Sequence, residues 1–258
     1  MKIEIVNLNS IIPQKVSQRQ RYLLLNILLF ETNNHKETNE ITITAMKNNG
    51  RITSARLESY QVWSTAQSSD IKYHGYAEVR STLPAKTNGW NFKGAWPAIW
   101  MLGTGNGHDW PKHGEIDIVE AVDGKPDIVM SLHSTNHNHN NGGSQHPPEN
   151  LYRLQNVDLS QDVLISGFEW NLHHEQIDLT WWFTWFDRSS NSWKSDHTTK
   201  VLSKYGNNDY YDFYNSFNGE GFSLLINLAE GGDWPSNDVF VDNKPQYMII
   251  KSVKVYRF

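Results

Sequence analysis

The sequence predicts an all-β sandwich, because polar and apolar residues alternate with a period of two in many short segments. The clearest alternating segments are residues 41–45, 76–80, 177–186 and 224–228. Clusters rich in asparagine, glycine and serine separate them, at residues 48–50, 140–143, 189–192 and 218–219. Long helical periodicity is nearly absent, and short strands joined by such turns are typical of antiparallel sandwiches.

The N-terminal region does not follow this pattern. Residues 22–30 read YLLLNILLF, an apolar run of nine residues that is too short to span a bilayer. A buried strand, a short helix and the apolar part of a signal peptide remain open interpretations. We therefore treat residues 1–35 as an atypical segment and predict a single domain over residues 36–258.

Composition restricts the possible functions. The net charge of −5 gives no reason to expect nucleic acid or an anionic membrane as a partner, and the absence of cysteine excludes disulfides and thiolate metal sites. The chain has 11 Trp, 11 Tyr and 10 Phe, so aromatic rings are available both for the core and for stacking on the C–H faces of sugars.

The segment that points to chemistry is WPKHGEIDIVE, residues 110–120. On a strand, Glu115 and Asp117 would lie on one face and Ile116 on the other. A regular strand would then send Glu120 into the core, where a lone carboxylate is costly. A β-bulge after Asp117 would bring Glu120 back to the face of the other two acids.

Three carboxyl groups on one face suit glycoside hydrolysis. Like charges in one site raise at least one pKa, so that one group can stay protonated while another is ionised. A retaining glycosidase needs that pair, with the two carboxyl groups about 5–5.5 Å apart. A solvated outer face and a Ca²⁺ or Mg²⁺ site formed by the three acids are the alternatives.

A second group of residues that could bind a metal lies in the Asn/His-rich segment 136–141. His133, His137 and His139 are spaced by four and two residues, but neither cysteine nor a second carboxylate cluster accompanies them. We expect a solvated loop there and assign no metal ligands.

Several motifs resemble glycoside hydrolase family 16, in its laminarinase-like branch. The acids stand within a segment similar to the family's Trp-Pro-x-x-Gly-Glu-Ile-Asp pattern. Further motifs occur in the expected order: residues 52–57, 76–80, 94–103, 168–170 and 225–235. The resemblance covers the chain from about Ile41 to Phe258, whereas the family's usual N-terminal strand has no match in residues 1–35.

The resemblance implies a β-jelly-roll sandwich of two antiparallel sheets with a concave substrate cleft. It implies endo-hydrolysis of β-1,3 or mixed β-1,3-1,4 glucan with retention of configuration. On the matching positions, Glu115 would be the nucleophile and Glu120 the general acid/base, with Asp117 tuning their protonation.

The resemblance also implies binding residues. Trp96 and Trp110 match cleft tryptophans that stack on sugar, and His133 matches a histidine beside the reactive subsite. Arg80, Glu169 and Asn227 are weaker matches to the cleft wall. Trp100 on this pattern is more often a core residue.

From the same resemblance we expect a monomer that acts on an extracellular polysaccharide, neither on nucleic acid nor at a membrane. No organic cofactor is expected, although some relatives carry a structural calcium ion. The alternative is a non-catalytic β-glucan-binding protein on the same fold, because fold alone does not determine function. Linkage preference, and hydrolysis as against transglycosylation, stay open.

Overall fold

The computed structural model describes residues 40–59, 73–86, 92–104, 110–137, 151–205, 209–219, 221–232, 234–235 and 244–257. The segment 1–35 and His139 lie outside these residues, so the expectations for them remain untested. The elements in chain order are β1 (Ile41–Asn48), β2 (Arg51–Thr53), β3 (Arg56–Glu58), β4 (Tyr73–Thr82), β5 (Ala95–Gly103), β6 (Glu115–Glu120), β7 (Asp127–His133), β8 (Leu151–Arg153), β9 (Leu164–Leu172), β10 (Gln176–Asp187), β11 (Ser192–Ser203), α1 (Asp209–Asn218), β12 (Phe222–Glu230) and β13 (Gln246–Arg257).

The strands form two antiparallel sheets. One has seven strands in the order β11-β10-β9-β4-β13-β1-β2, and the other has six in the order β3-β12-β5-β6-β7-β8. The prediction of an all-β sandwich is confirmed. Sequence neighbours such as β10 and β11 pair as a hairpin, whereas β12 returns across the chain to pair with both β3 and β5.

The core lies between the two sheets, and the period-two pattern determines which residues enter it. In β10, Leu179, Trp181 and Phe183 are buried, while Trp182 is exposed on the other face. Trp181 packs edge-on against Phe168 of β9 with 5.2 Å between ring centroids. Each large apolar side chain removed from water contributes roughly 1.5–3 kcal/mol, which holds the alternating strands in register.

Helix α1 was not identified from the sequence. Its Tyr210, Phe213 and Phe217 are buried at helical spacing, so the helix packs one aromatic face on the sandwich. The ring of Phe213 lies over Gly114, which has φ +77° and has no room for a side chain, since an added Cβ would lie 2.9 Å from that ring. Among the described residues, no helix has the length and apolar character that a membrane span requires.

Candidate active site

Strand β6 contains the predicted bulge. On β5, Ile99 faces Val119 and Trp100 faces Asp117, so Ile118 is the extra residue. The register with β7 shifts at the same place, between Asp117 and Glu120. Ile118 and Val119 are both buried, so that two successive aliphatic side chains enter the core. The bulge predicted after Asp117 is therefore confirmed.

Because of this bulge, all three acids face one pocket on the outer side of the six-stranded sheet. The pocket is lined by Arg56, Trp96, Ala98, Trp100, Glu115, Asp117, Glu120, Asn227 and Ala229. These residues come from β3, β5, β6 and β12, which are neighbours in the sheet. The site is thus formed by regular strands and does not depend on loops for its acids.

Two tryptophans hold the two glutamates. Trp96 Nε1 donates to Oε1 of Glu120 at 3.0 Å, and Trp110 Nε1 donates to Oε2 of Glu115 at 2.6 Å. Indole N–H groups donate only, so each carboxyl group gains a fixed donor on one oxygen. The edge of Trp234 contacts the ring of Trp96 with 5.5 Å between centroids, which extends the aromatic surface beyond the acids.

Asp117 lies between the glutamates and is almost fully buried, with 3% of its surface exposed. Its backbone carbonyl accepts a hydrogen bond at 2.9 Å from Trp181 Nε1, which belongs to the opposite sheet. Its carboxylate Oδ2 accepts a hydrogen bond from Ser131 Oγ and lies 3.2 Å from His133 Nε2. His133 Nε2 also lies 3.8 Å from Oε1 of Glu115.

Burial and like charge make both glutamates weak acids. Burial, followed by the charge of Asp117, raises the pKa of Glu115 to about 8, although His133 and the Trp110 donor act in the opposite direction. The same two causes raise the pKa of Glu120 well above its usual range. Burial lowers the pKa of His133, but Asp117 and Glu115 outweigh it, so the net direction is upward. The pocket therefore retains protons at neutral pH, as a general acid requires.

The alternative of a metal site has some geometric basis. One ligand atom each from Glu115, Asp117 and His133 lies within 4.8 Å of the others. However, the Asp117 oxygen that faces His133 already accepts the Ser131 hydroxyl, and Glu115 accepts the Trp110 indole. These donors fit carboxyl groups that act in acid–base chemistry, so we assign no metal there.

Of the three histidines that could bind a metal, the structure describes His133 and His137, and these two do not converge. His133 faces the acids, whereas His137 Nδ1 lies 2.6 Å from Oδ2 of Asp209 at the start of α1. Ser134 Oγ donates to the other oxygen of Asp209. His137 is thus attached to the helix by a hydrogen bond to a buried carboxyl group, whereas residues 138–141 of the expected solvated loop lie outside the described residues.

The predicted binding residues separate into two groups. Trp96, Trp110, His133 and Asn227 lie at the pocket or contact its acids. Trp100, expected in the core, instead lines the pocket and donates through Nε1 to Oδ1 of Asn227 at 2.7 Å. The expectation for Trp100 was wrong because Trp100 shares the outward face of β5 with Trp96 and Ala98, which also line the pocket.

The placement of Arg80 and Glu169 in the cleft wall was also wrong. Both lie on the seven-stranded sheet, in β4 and β9, on the face turned away from the core. Arg80 Nε contacts Glu78 at 2.8 Å, while Glu169 contacts His74 at 2.5 Å and accepts Trp182 Nε1 at 3.0 Å. A strand motif predicts which residues share a face, but it does not determine which sheet the strand joins.

Two polar residues at the site, Arg56 and Ser131, were missed. Arg56 lies in a segment that the sequence analysis matched to a family strand, yet its side chain was not considered. Ser131 faces Asp117 across the β6–β7 pair. It precedes His133 by two residues, so the period-two rule would have placed both on one face.

Comparison with known proteins gives a consistent result. A family model described as "XgeA-like, catalytic GH16 domain" matches residues 85–163. The chain is 28% identical over 194 residues to a β-glucanase from Rhodothermus marinus, which covers 72% of this chain and 58% of that protein. The chain thus spans a little over half the length of that relative.

Solved structures share the fold. An endo-1,3-β-glucanase from Streptomyces sioyaensis superposes with a TM-score of 0.62 at 22% identity, covering 84% of this chain and 74% of that one. The catalytic domain of an endo-1,3-β-glucanase (laminarinase) from Thermotoga petrophila RKU-1 gives a TM-score of 0.55 at 28% identity, covering 85% and 78%. Together with the two antiparallel sheets, these similarities confirm the predicted jelly-roll fold.

Proposed function

We propose that this chain is a member of glycoside hydrolase family 16 and an endo-acting hydrolase of β-1,3 or mixed β-1,3-1,4 glucan that retains the anomeric configuration. The observation that carries the proposal is the bulge in β6, which brings Glu115, Asp117 and Glu120 to one pocket. The β-glucanase and laminarinase names of the similar proteins support the substrate class.

In the proposed first step, a carboxylate oxygen of Glu115 attacks the anomeric carbon while Glu120 protonates the departing glycosidic oxygen. The C–O bond of the glycoside breaks, and a covalent glycosyl ester forms on Glu115. In the second step, Glu120 takes a proton from water, whose oxygen attacks the anomeric carbon and releases Glu115. The two inversions give net retention.

The surroundings of the two glutamates support this assignment of roles. Glu115 has His133 at 3.8 Å and the Trp110 donor at 2.6 Å, and both favour its ionised form. The hydrogen bonds from Trp96 and Ser131 also favour the ionised form of Glu120, but both donors are neutral, and burial and the charge of Asp117 keep the pKa of Glu120 well above its usual range. The nucleophile and the acid are thus distinguished by their neighbours and not by their residue type.

The pocket also supports a sugar substrate. Three tryptophans offer ring surfaces near the acids: Trp96, Trp110 and Trp234. Trp110 is 36% exposed and Trp234 is 45% exposed. Arg56 and Asn227 add hydrogen-bonding groups on the β3–β12 side. Sugars need both kinds of contact, since their C–H faces stack on aromatic rings while their hydroxyls need polar partners. We further propose that the protein acts outside the cell, as a monomer, without an organic cofactor.

The test is the release of reducing ends from laminarin, lichenan, xyloglucan and agarose, with the anomer of the first product followed by NMR. We expect cleavage of laminarin or lichenan and a β-anomer as the first product. Glu115→Gln should still bind laminarin but should not cleave it. Binding of laminarin by the wild-type protein without cleavage of any of the four polysaccharides would instead support a glucan-recognition protein.

A further inference from the structure

Ser131 lies at the centre of the acid cluster, although the two-step mechanism above does not use it. The residue is in β7, directly opposite Asp117 of β6, and only 3% of it is exposed. Its Oγ donates to Oδ2 of Asp117 and lies 3.4 Å from Oε2 of Glu120. His133 Nε2 is a third neighbour at 3.5 Å. A single hydroxyl therefore contacts the acid/base and the carboxylate beside it.

A serine hydroxyl has one proton to donate and two lone pairs with which to accept. When Glu120 is protonated, the hydroxyl can donate a hydrogen bond to Asp117 and accept one from the O–H of Glu120. After Glu120 has given up its proton, two carboxylates compete for the one hydroxyl donor. Rotation about the Cβ–Oγ bond is enough to redirect that donor, because both acceptor oxygens are already within hydrogen-bond distance.

We propose that Ser131 is a positioning residue whose hydroxyl donates to Asp117 while Glu120 is protonated and turns to Glu120 when that residue becomes a carboxylate. The inference rests on the proposed function, because it assumes that Glu120 cycles between these two forms. Ser131 forms and breaks no covalent bond. The proton of Glu120 goes to the glycosidic oxygen in the first step and is replaced from water in the second.

If Ser131 only held the strand in place, its loss would disturb the whole pocket and would affect all substrates alike. The backbone of Asp117 is held by Trp181 from the opposite sheet at 2.9 Å. The position of the strand therefore does not depend on the Ser131 side chain. Loss of the hydroxyl should alter the protonation chemistry at Glu120 while leaving the pocket in place. It should consequently affect substrates that need a proton from Glu120 more than substrates that do not.

The experiment compares Ser131→Ala and Ser131→Thr with the wild-type protein on laminarin and on dinitrophenyl β-laminaribioside. The dinitrophenolate group leaves without protonation, so its departure does not need the acid. The control is Ser166→Ala in β9, another buried serine, whose Oγ donates to the carbonyl of Val79 at 3.3 Å. Melting temperatures of all variants are measured in parallel.

We expect Ser131→Ala to lower kcat/KM on laminarin by roughly tenfold to a hundredfold, the effect of losing a hydrogen bond to a charged group. On the dinitrophenyl glycoside, kcat/KM should fall by less than about threefold, because the acid is not needed in that step. Ser131→Thr keeps the hydroxyl and should restore most of the laminarin activity. Ser166→Ala should leave both rates unchanged.

Equal losses on both substrates, or a laminarin rate within twofold of wild type, would overturn the inference. Should the alanine variant fail to fold, Ser131→Cys takes its place, since a thiol fills the space but hydrogen-bonds weakly. Failure of the proposed function is recognised separately, because the wild-type protein would then cleave neither substrate. In that case the role of Ser131 is refuted together with it.

Discussion

The hydrogen bond from Trp110 to Glu115 offers a direct test of the proposed nucleophile. The indole Nε1 lies 2.6 Å from Oε2 of Glu115 and lowers the pKa of that carboxyl, opposing the effects of burial and of Asp117. Trp110→Phe keeps an aromatic ring in the pocket but removes the donor. A hydrogen bond to a charged group contributes about 1.5–3 kcal/mol, and one pKa unit corresponds to about 1.36 kcal/mol.

The sign of the expected change follows from the role of Glu115. The residue must be ionised to attack, and its pKa of about 8 is already above the ordinary value. Loss of the Trp110 donor destabilises the carboxylate and raises this pKa further. The acidic limb of the profile of kcat/KM against pH should therefore move upward by about one to two units. The value of kcat/KM should fall most at the lowest pH values measured.

The assay measures initial rates on laminarin over a range of pH, since kcat/KM reports the ionisation of the free enzyme. The matched control is Trp182→Phe, because Trp182 Nε1 donates to Oε2 of Glu169 at 3.0 Å on the outer face of the other sheet. That variant loses the same kind of bond away from the acids and should keep the wild-type profile. An unchanged acidic limb in Trp110→Phe, in a protein that melts normally, would refute the assignment of Glu115 as the group that must ionise.

Three further predictions concern the fold that supports the site. Deletion of Ile118 and Val119 together places Glu120 directly after Asp117, on the opposite face of the strand, which we expect to abolish measurable cleavage of laminarin while circular dichroism still shows a β-rich protein. Deletion of Ile118 alone leaves Glu120 two residues after Asp117, on the same face, and should keep activity. Retained activity in the double deletion would contradict this explanation. Glu230→Leu should raise the melting temperature by a few degrees at pH 8 but not at pH 5. Both carboxyl oxygens of Glu230 are buried without a hydrogen-bond partner among the described residues, and burial raises its pKa to about 9. Because the folded pKa is above the unfolded value, the carboxyl reduces stability progressively as the pH rises from about 4.5 to 9. An equal effect at both pH values would argue against this explanation. Gly114→Ala should destabilise the fold by about 1–2 kcal/mol from its left-handed backbone alone, and by more from contact with Phe213. Urea denaturation measures this loss of stability, and a wild-type midpoint in Gly114→Ala would be inconsistent with the close contact between Gly114 and Phe213.

The acids on β6 show how far local patterns predict a site. Alternation along residues 115–120, together with the cost of burying a lone carboxylate, was enough to predict a bulge and its position. The contacts that control the acids could not be predicted in this way. Ser131 comes from the neighbouring strand and Trp181 from the opposite sheet, and no spacing within residues 110–120 encodes either of them.

The errors at Arg80 and Glu169 have one common origin. Each residue was assigned to the correct kind of element, and the motifs around it were real. Which sheet a strand joins, however, is a long-range property that depends on pairings such as β4 with β9 and β13. Arg80 and Glu169 consequently face solvent on the sheet that does not contain the acids. The error at Trp100 is a separate one, since alternation from Trp96 along β5 already places Trp100 on the pocket face.

By itself, the sequence determined the all-β class, the strands and the three acids that share a face, because those properties depend on side-chain alternation over a few residues. Family resemblance had placed Trp96, Trp110 and His133 at the cleft, but only the tertiary structure decided which of their atoms contact which acid, and only it revealed the hydroxyl of Ser131 beside Asp117. The protonation of Glu115 and Glu120 depends on burial and on charges a few ångströms away, and those distances exist only once the sheets have paired and packed.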